Sequence, residues 1–223
     1  ILLKKGEQNE IPPKEILRKF SGDHVFDCSD SDGVAGVWCW GFGGDGGDCP
    51  MKRILLDTSV YGKLVEDTFV FPLLLDGKKK NNFVVYGSDI IRTELRAISK
   101  KARDKKGQKI RLYTLYVYDS LITKENHNLK MNAFIEQLAE LYFKEYKQSD
   151  GSVGAEEMKN DFSIVACATL HNLEIVISDD RRTMLSVAAL EAYKRVNQQQ
   201  GFQNPNYMHY PSFRDKLVRR SGI

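Results

Sequence analysis

Four carboxylates in this 223-residue chain stand at positions suited to chemistry. Asp57 follows Ile54-Leu55-Leu56 and precedes Thr58-Ser59, and Asp180 closes the run Ile175-Val176-Ile177-Ser178-Asp179-Asp180. Glu94 and Asp161 lie between them, each inside a segment that reads as a helix. An aliphatic run this short reads as a buried strand of a parallel sheet, and open α/β sheets hold their ligands outside the carboxyl ends of such strands. Two strand-end acids and two helix acids offer oxygen alone, the donor set of a hard divalent cation such as Mg2+ or Mn2+. An ion of that kind stabilises charge on a phosphate, orients water and lowers its pKa. Crowded carboxylates repel one another, so without a cation some of them are expected to hold protons.

Each acid has a simpler reading. Asp57 serves equally as the cap of a helix beginning near Val60. Glu94 reads as a solvated helix charge, although Ile91, Leu95 and Ile98 place it at the border of an apolar face. Asp161 reads as a surface acid, although Phe162-Ser163-Ile164-Val165-Ala166 follows it directly. Asp179 and Asp180 compete for one role. Thr58, Ser59 and Ser178 are auxiliary candidates that orient carboxylates or hold phosphate oxygens, or are plain caps. His24, His127, His171 and His209 show no metal-ligand spacing and are read as non-ligands. There is no Gly-x-Ser-x-Gly elbow, no phosphate-binding glycine loop, and no second acid two residues after Asp57 as an aspartate-nucleophile phosphatase would carry.

The elements that must position these groups alternate. Met51 to Ser59 reads as the first strand and Val60 to Glu66 as a short helix. Phe69 to Leu75, interrupted by Pro72, reads with Asp76-Gly77 and Lys78-Lys79-Lys80 as a turn with an exposed basic tip. Phe83 to Tyr86 reads as a strand, and Ser88 or Asp89 as the cap of a helix carrying Glu94. Leu112 to Tyr118, rich in aromatic residues, reads as a strand or buried extended piece. Asn128 to Tyr146 and Ala155 to His171 read as helices, Glu174 to Ser178 as a strand and Arg182 to Lys194 as a helix. Val196 to Ile223 gives no clear assignment. The alternation predicts an α/β fold with a parallel sheet.

From Met51 to about Leu190 the chain resembles the PIN domain family of ribonucleases, and within it the VapC-like toxins. The resemblance rests on Leu55-Leu56-Asp57-Thr58-Ser59, Ser88-Asp89-Ile90-Ile91-Arg92-Thr93-Glu94-Leu95, Asp161-Phe162-Ser163-Ile164-Val165-Ala166-Cys167-Ala168 and Ile175-Val176-Ile177-Ser178-Asp179-Asp180. It implies a three-layer fold with a central parallel sheet flanked by helices. It also implies an endoribonuclease dependent on Mg2+ or Mn2+, with Asp57, Glu94, Asp161 and Asp180 as catalytic and metal-binding residues. The family's acid falls two residues after the strand hydroxyl, which selects Asp180 and leaves Asp179 as a cap or auxiliary ligand. RNA is the implied substrate, an antitoxin protein the implied partner, and a homo-oligomer an assembly the family allows. A non-catalytic PIN-like module that binds RNA or protein is the alternative.

Composition and charge set the frame. With 28% charged and 42% hydrophobic residues the chain has an ordinary globular makeup. No apolar run reaches the roughly 18 residues of a membrane span, and no signal peptide is evident, so the expected location is cytoplasmic. The four cysteines form no CxxC pair. Residues 1–50 hold 5 basic and 9 acidic side chains, whereas residues 51–223 hold 28 and 21. The second part, net +7, is therefore the one whose charge suits a polyanion. Lys100, Lys101 and Arg103, with Lys78 to Lys80, are candidate RNA contacts, a solvated face being the simpler reading.

Two regions are expected: a Gly/Asp-rich segment, residues 1–50, appended or flexible, and a nuclease domain, residues 51–223. Within the first, Pro12 to Phe20 reads as a short helix. The resemblance implies an antitoxin tail lying over the acidic pocket, and Ile11 to Phe20, which carries Arg18 and Lys19, is a candidate for such a tail.

Overall fold

The computed structural model describes residues 51–67, 69–104, 107–149 and 151–220, so the expectations for residues 1–50 lie outside the described residues. β1 (Lys52–Leu56) is the middle strand of a five-stranded sheet in the order β3-β2-β1-β4-β5. Its partners are β2 (Phe83–Ser88) on one side and β4 (Ile175–Ser178) on the other. β3 (Asn128–Leu129) and β5 (Asn206–His209) form the edges, and every pairing is parallel. Ile54, Leu55 and Leu56 are all buried. Successive strand residues face opposite sides of a sheet, so both faces of β1 are covered, which requires a helix layer on each side.

Among the described residues eight α-helices supply those layers. α1 (Thr58–Glu66), α2 (Val70–Lys79), α3 (Asp89–Ala97) and α4 (Ile110–Leu121) contact one another on and beside β1 and β2. α5 (Ala133–Gln148) packs on α6 (Ala155–Leu170) and α7 (Val187–Gln200), and α8 (Tyr210–Arg220) follows β5. Ile135, Leu138, Ala139, Tyr142 and Tyr146 recur by threes and fours along α5 and are its buried stripe. α6 is buried all round from Phe162 to Thr169, which makes it the central helix of its layer. One polar tie crosses these three helices: Tyr142 Oη donates to Asn197 Oδ1 at 2.5 Å and lies 3.0 Å from Thr169 Oγ1.

Several expectations need correction. Leu112 to Tyr118 is not extended but forms the body of α4. Its buried residues are Thr114, Val117, Tyr118 and Leu121, a helical spacing. Leu112 and Tyr116 are about 60% exposed, and these solvent-facing apolar residues mask the period. Phe69 to Lys80 is not a turn. It holds α2, with Pro72 in the first turn, where a missing N–H removes no intrahelical bond. Lys78 is not a free tip: its ammonium reaches Leu121 O (2.6 Å), Ser120 O (3.1 Å) and Thr123 Oγ1 (3.1 Å) at the end of α4. Residues 181–186 form turns, and α7 starts only at Val187, capped by Ser186. Asn128 and Leu129 belong to β3, and α5 starts at Ala133, where Asn132 Oδ1 accepts from Phe134 N and Ile135 N.

The strand order places the site. β1 is followed through α1 and α2 to β2 on one side, and its other neighbour, β4, comes much later in the chain. Chain connections on the two sides of β1 therefore diverge, leaving a crevice outside the carboxyl ends of β1 and β4, where open α/β sheets bind ligands. Asp57 and Asp179-Asp180 are the residues that leave those two ends.

Candidate active site

Asp57 is the first residue after β1, and its N–H donates to Ile177 O at 2.8 Å, extending the ladder with β4 by one step. The aliphatic run thus carries the carboxylate into the crevice with only 5% of its surface exposed. Its Oδ2 accepts from Ser59 Oγ at 2.7 Å, from Ser178 Oγ at 2.8 Å and from Ser59 N at 3.4 Å. Capping and site roles are therefore not exclusive: Asp57 is the N-cap of α1. All three donors reach Oδ2, and among the described residues none reaches Oδ1. Ser59 Oγ and Ser178 Oγ also accept from Asp179 N (2.9 Å) and Asp180 N (3.0 Å), which ties the strand ends together.

Glu94 lies on α3, whose start is fixed by Ser88 Oγ accepting from Ile91 N. Its carboxylate is held from two sides, Oε2 by the Thr58 hydroxyl and Oε1 by the Asn160 side-chain amide. Asp161 follows Asn160 on α6, immediately before the buried run. Its carboxyl is pushed up to about 7, first by burial and further by the negative charges of Asp57, Asp180 and Glu94, with the Thr183 hydroxyl opposing the rise. Through Thr58 and Asn160, Glu94 is joined to the residues next to Asp57 and next to Asp161.

Asp180 behaves differently. Burial alone would raise its carboxyl, but three donors outweigh burial and pull it below the ordinary carboxylate value. They are Thr183 Oγ1 at 2.7 Å, Thr183 N at 2.9 Å and Arg182 N at 2.8 Å. The Asp179 carboxylate pairs with Lys63 Nζ at 3.3 Å and lies 3.0 Å from His209 Nε2.

The arrangement is an open acidic cluster of oxygen donors. Among the described residues no three His, Cys, Asp or Glu side chains close into a metal-ligand group. A repelling set of carboxylates, one of them half-protonated near neutrality, nonetheless fits an ion that keeps much of its water and takes only one or two carboxylates directly. Asp57, Glu94, Asp161 and Asp180 are the residues that would hold it.

Lys100, Lys101 and Arg103 follow the end of α3, and Arg103 spends its guanidinium on Lys100 O (2.9 Å) and Ala102 O (3.1 Å). The cations beside the acids are Arg181, which contacts His209, and Arg182, which pairs with Glu157 on α6. Sequence reasoning passed over them together with Asn160 and Thr183. The one available signal was the Asp180-x-x-Thr183 spacing, which resembles a cap.

No protein-family model and no curated protein matches the chain. Solved structures with a related chain path include the VapBC2 complex of Rickettsia felis bound to a promoter DNA fragment, at 16% identity and a TM-score of 0.45, covering 71% of this chain and 98% of that one. DNA-bound VapBC from Salmonella typhimurium matches at 14% identity and a TM-score of 0.46 over the same shares of the two chains. FitAcB from Neisseria gonorrhoeae matches at 20% identity and a TM-score of 0.40, covering 61% and 92%. The chemistry assigned to this chain accordingly rests on its own side chains.

Proposed function

We propose that residues 51–223 form a metal-dependent endoribonuclease of the PIN type, acting on RNA phosphodiester bonds as the toxin of a toxin–antitoxin pair. The observation that supports this most is the gathering of Asp57, Glu94, Asp161 and Asp180 around the crevice between β1 and β4, where Asp161 feels the other three charges. A bound Mg2+ or Mn2+ supplies Lewis acidity toward a phosphodiester and a more acidic water. The chain's own contribution is placement. Ser59 and Ser178 fix Asp57 through Oδ2. Thr183 and the following turn keep Asp180 ionised. Arg181 and Arg182, both exposed and next to Asp180 in sequence, would serve as phosphate contacts once released from His209 and Glu157.

The alternative, a non-catalytic RNA- or protein-binding module, is supported by the openness of the acid cluster. It predicts binding without cleavage. The deciding experiment incubates the purified chain with mixed RNA in Mn2+ or Mg2+, with and without EDTA, alongside Asp57→Asn. Cleavage that requires the cation and is lost in Asp57→Asn is expected. Wild-type cleavage by Asp57→Asn, or cleavage indifferent to EDTA, would overturn the proposal. An antitoxin partner is part of the same reading. Its test is whether a co-expressed small protein, encoded next to this chain, suppresses that cleavage.

A further inference from the structure

Among the four acids, Glu94 is the one gripped on both oxygens by side chains from two other helices. Thr58, on α1, holds Oε2, and Asn160, on α6, holds Oε1. Each of these partners is the immediate neighbour of another site acid, Thr58 of Asp57 and Asn160 of Asp161. Glu94 is the longest and most mobile of the four side chains, with three rotatable bonds before its carboxylate. Left alone on α3 it would spread over several rotamers, most of them in water.

We infer that Asn160 is a positioning residue, whose amide aims the Glu94 carboxylate into the acid cluster and locks it to the helix that carries Asp161. The inference rests on the cation-site reading above. Asn160 itself is exposed, so the core does not need it. It also occupies a helix interior, where asparagine is a poorer helix former than alanine. A purely structural role and a positioning role therefore predict opposite results. If Asn160 only supported the fold, its removal would lower stability. If it aims Glu94, its removal leaves the fold untouched and loosens the site.

The test uses the full chain and Mn2+ as the probe. Manganese binding is titrated by calorimetry for wild type, Asn160→Ala and Asn160→Asp, and melting is followed in EDTA. Asn160→Ala is expected to weaken Mn2+ binding about 10-fold, the usual effect of removing a hydrogen-bond partner that orients a ligand, with an unchanged or higher Tm in EDTA. RNA cleavage should lose kcat while KM for RNA holds. Asn160→Asp keeps the shape but replaces the donor by a second carboxylate, and should bind Mn2+ no better than Asn160→Ala. Wild-type affinity in Asn160→Ala overturns the positioning role and leaves the cation site standing, and tighter binding by Asn160→Asp overturns it too, because position 160 would then face the ion directly. Absence of Mn2+ binding by the wild type overturns both.

Discussion

Thr183 donates its hydroxyl to Asp180 Oδ2 at 2.7 Å, and the same hydroxyl opposes the rise of the Asp161 carboxyl, so one buried side chain bears on the acids of two elements. A hydroxyl has a single proton to give but accepts as well. The proton given to Asp180 is then not available to Asp161. Burial and the neighbouring negative charges favour protonation of Asp161, so without a cation the site carries less charge than four ionised acids would.

Thr183→Val keeps the shape and removes that hydroxyl. Asp180 would retain only its two backbone donors. A buried hydrogen bond to a charged group contributes about 1.5–3 kcal/mol, so urea unfolding in EDTA should show a loss of that order. RNA cleavage should fall more than stability explains, because Asp180 is held by one donor fewer. Thr183→Ser, which keeps the hydroxyl, should recover most of both. Equal stability of Thr183→Val and wild type would refute that role of the hydroxyl.

The pH dependence of stability follows from Asp161. Its folded value, about 7, lies above its ordinary value of 3.8, so between these the folded state binds more protons than the unfolded chain. The stabilisation is full below about pH 4 and is lost as pH rises through about 7. Asp180, held below its ordinary value, acts in the opposite sense and only at lower pH. In EDTA the unfolding free energy from urea titration should therefore be lower at pH 8 than at pH 5.5, by an amount on the order of 1–3 kcal/mol. Asp161→Asn should flatten the profile, and Mn2+ should restore stability at pH 8. A profile that is flat in the wild type would count against the burial and charge assigned to Asp161.

What could be read in advance divides along physical lines. Leu55-Leu56-Asp57 and Ile177-Ser178-Asp179-Asp180 were legible because a strand buried on both faces is a continuous apolar run, and its end is a local event. α4 was not, since Leu112, Tyr113 and Tyr116 stay exposed and leave no helical period. β5 was not, because Asn206-Tyr207-Met208-His209 is a half-buried edge strand, recognisable only by its pairing with β4. Asn160 was passed over and Lys78 misread for a shared reason. Each acts on a partner far along the chain, Glu94 for one and the end of α4 for the other. Sequence spacing carries no trace of such a contact.

Gly87 ties the site to the core. It sits in β2 one residue before Ser88, the cap of the helix that carries Glu94. A Cβ at Gly87 would overlap the hydroxyl of buried Tyr118, which donates to Asn128 Oδ1 and lies 3.2 Å from Ser88 O. Both partners are anchored, so neither can retreat cheaply. Gly87→Ala should destabilise the chain by about 1–3 kcal/mol, the typical effect of overpacking, and reduce cleavage by displacing α3. Ring carbons of Tyr118 crowd the same Cβ at 2.6 and 2.9 Å, so Tyr118→Leu, which removes the ring, is the relieving substitution, and the double variant should lose less than the sum of the two single losses. Strict additivity in urea unfolding would refute the clash.

Lys78 supplies the test that separates structural cations from substrate-facing ones. Its ammonium reaches Leu121 O, Ser120 O and Thr123 Oγ1, where the last carbonyls of α4 lack helical partners. Burial lowers its pKa, in keeping with a lysine turned inward from solvent. Lys78→Met keeps the stem and removes the charge, and should lower stability by about 1–2 kcal/mol. RNA affinity and its salt dependence should not change. Arg181→Ala and Arg182→Ala, next to Asp180, should each leave stability nearly intact and reduce the log–log salt slope by roughly 0.7, the value for one phosphate contact on a single strand. The measurement is a fluorescence titration of labelled RNA in EDTA at several salt concentrations. If Lys78→Met reduces the slope while the arginine variants do not, the RNA path runs over α2 instead of the turn after Asp180.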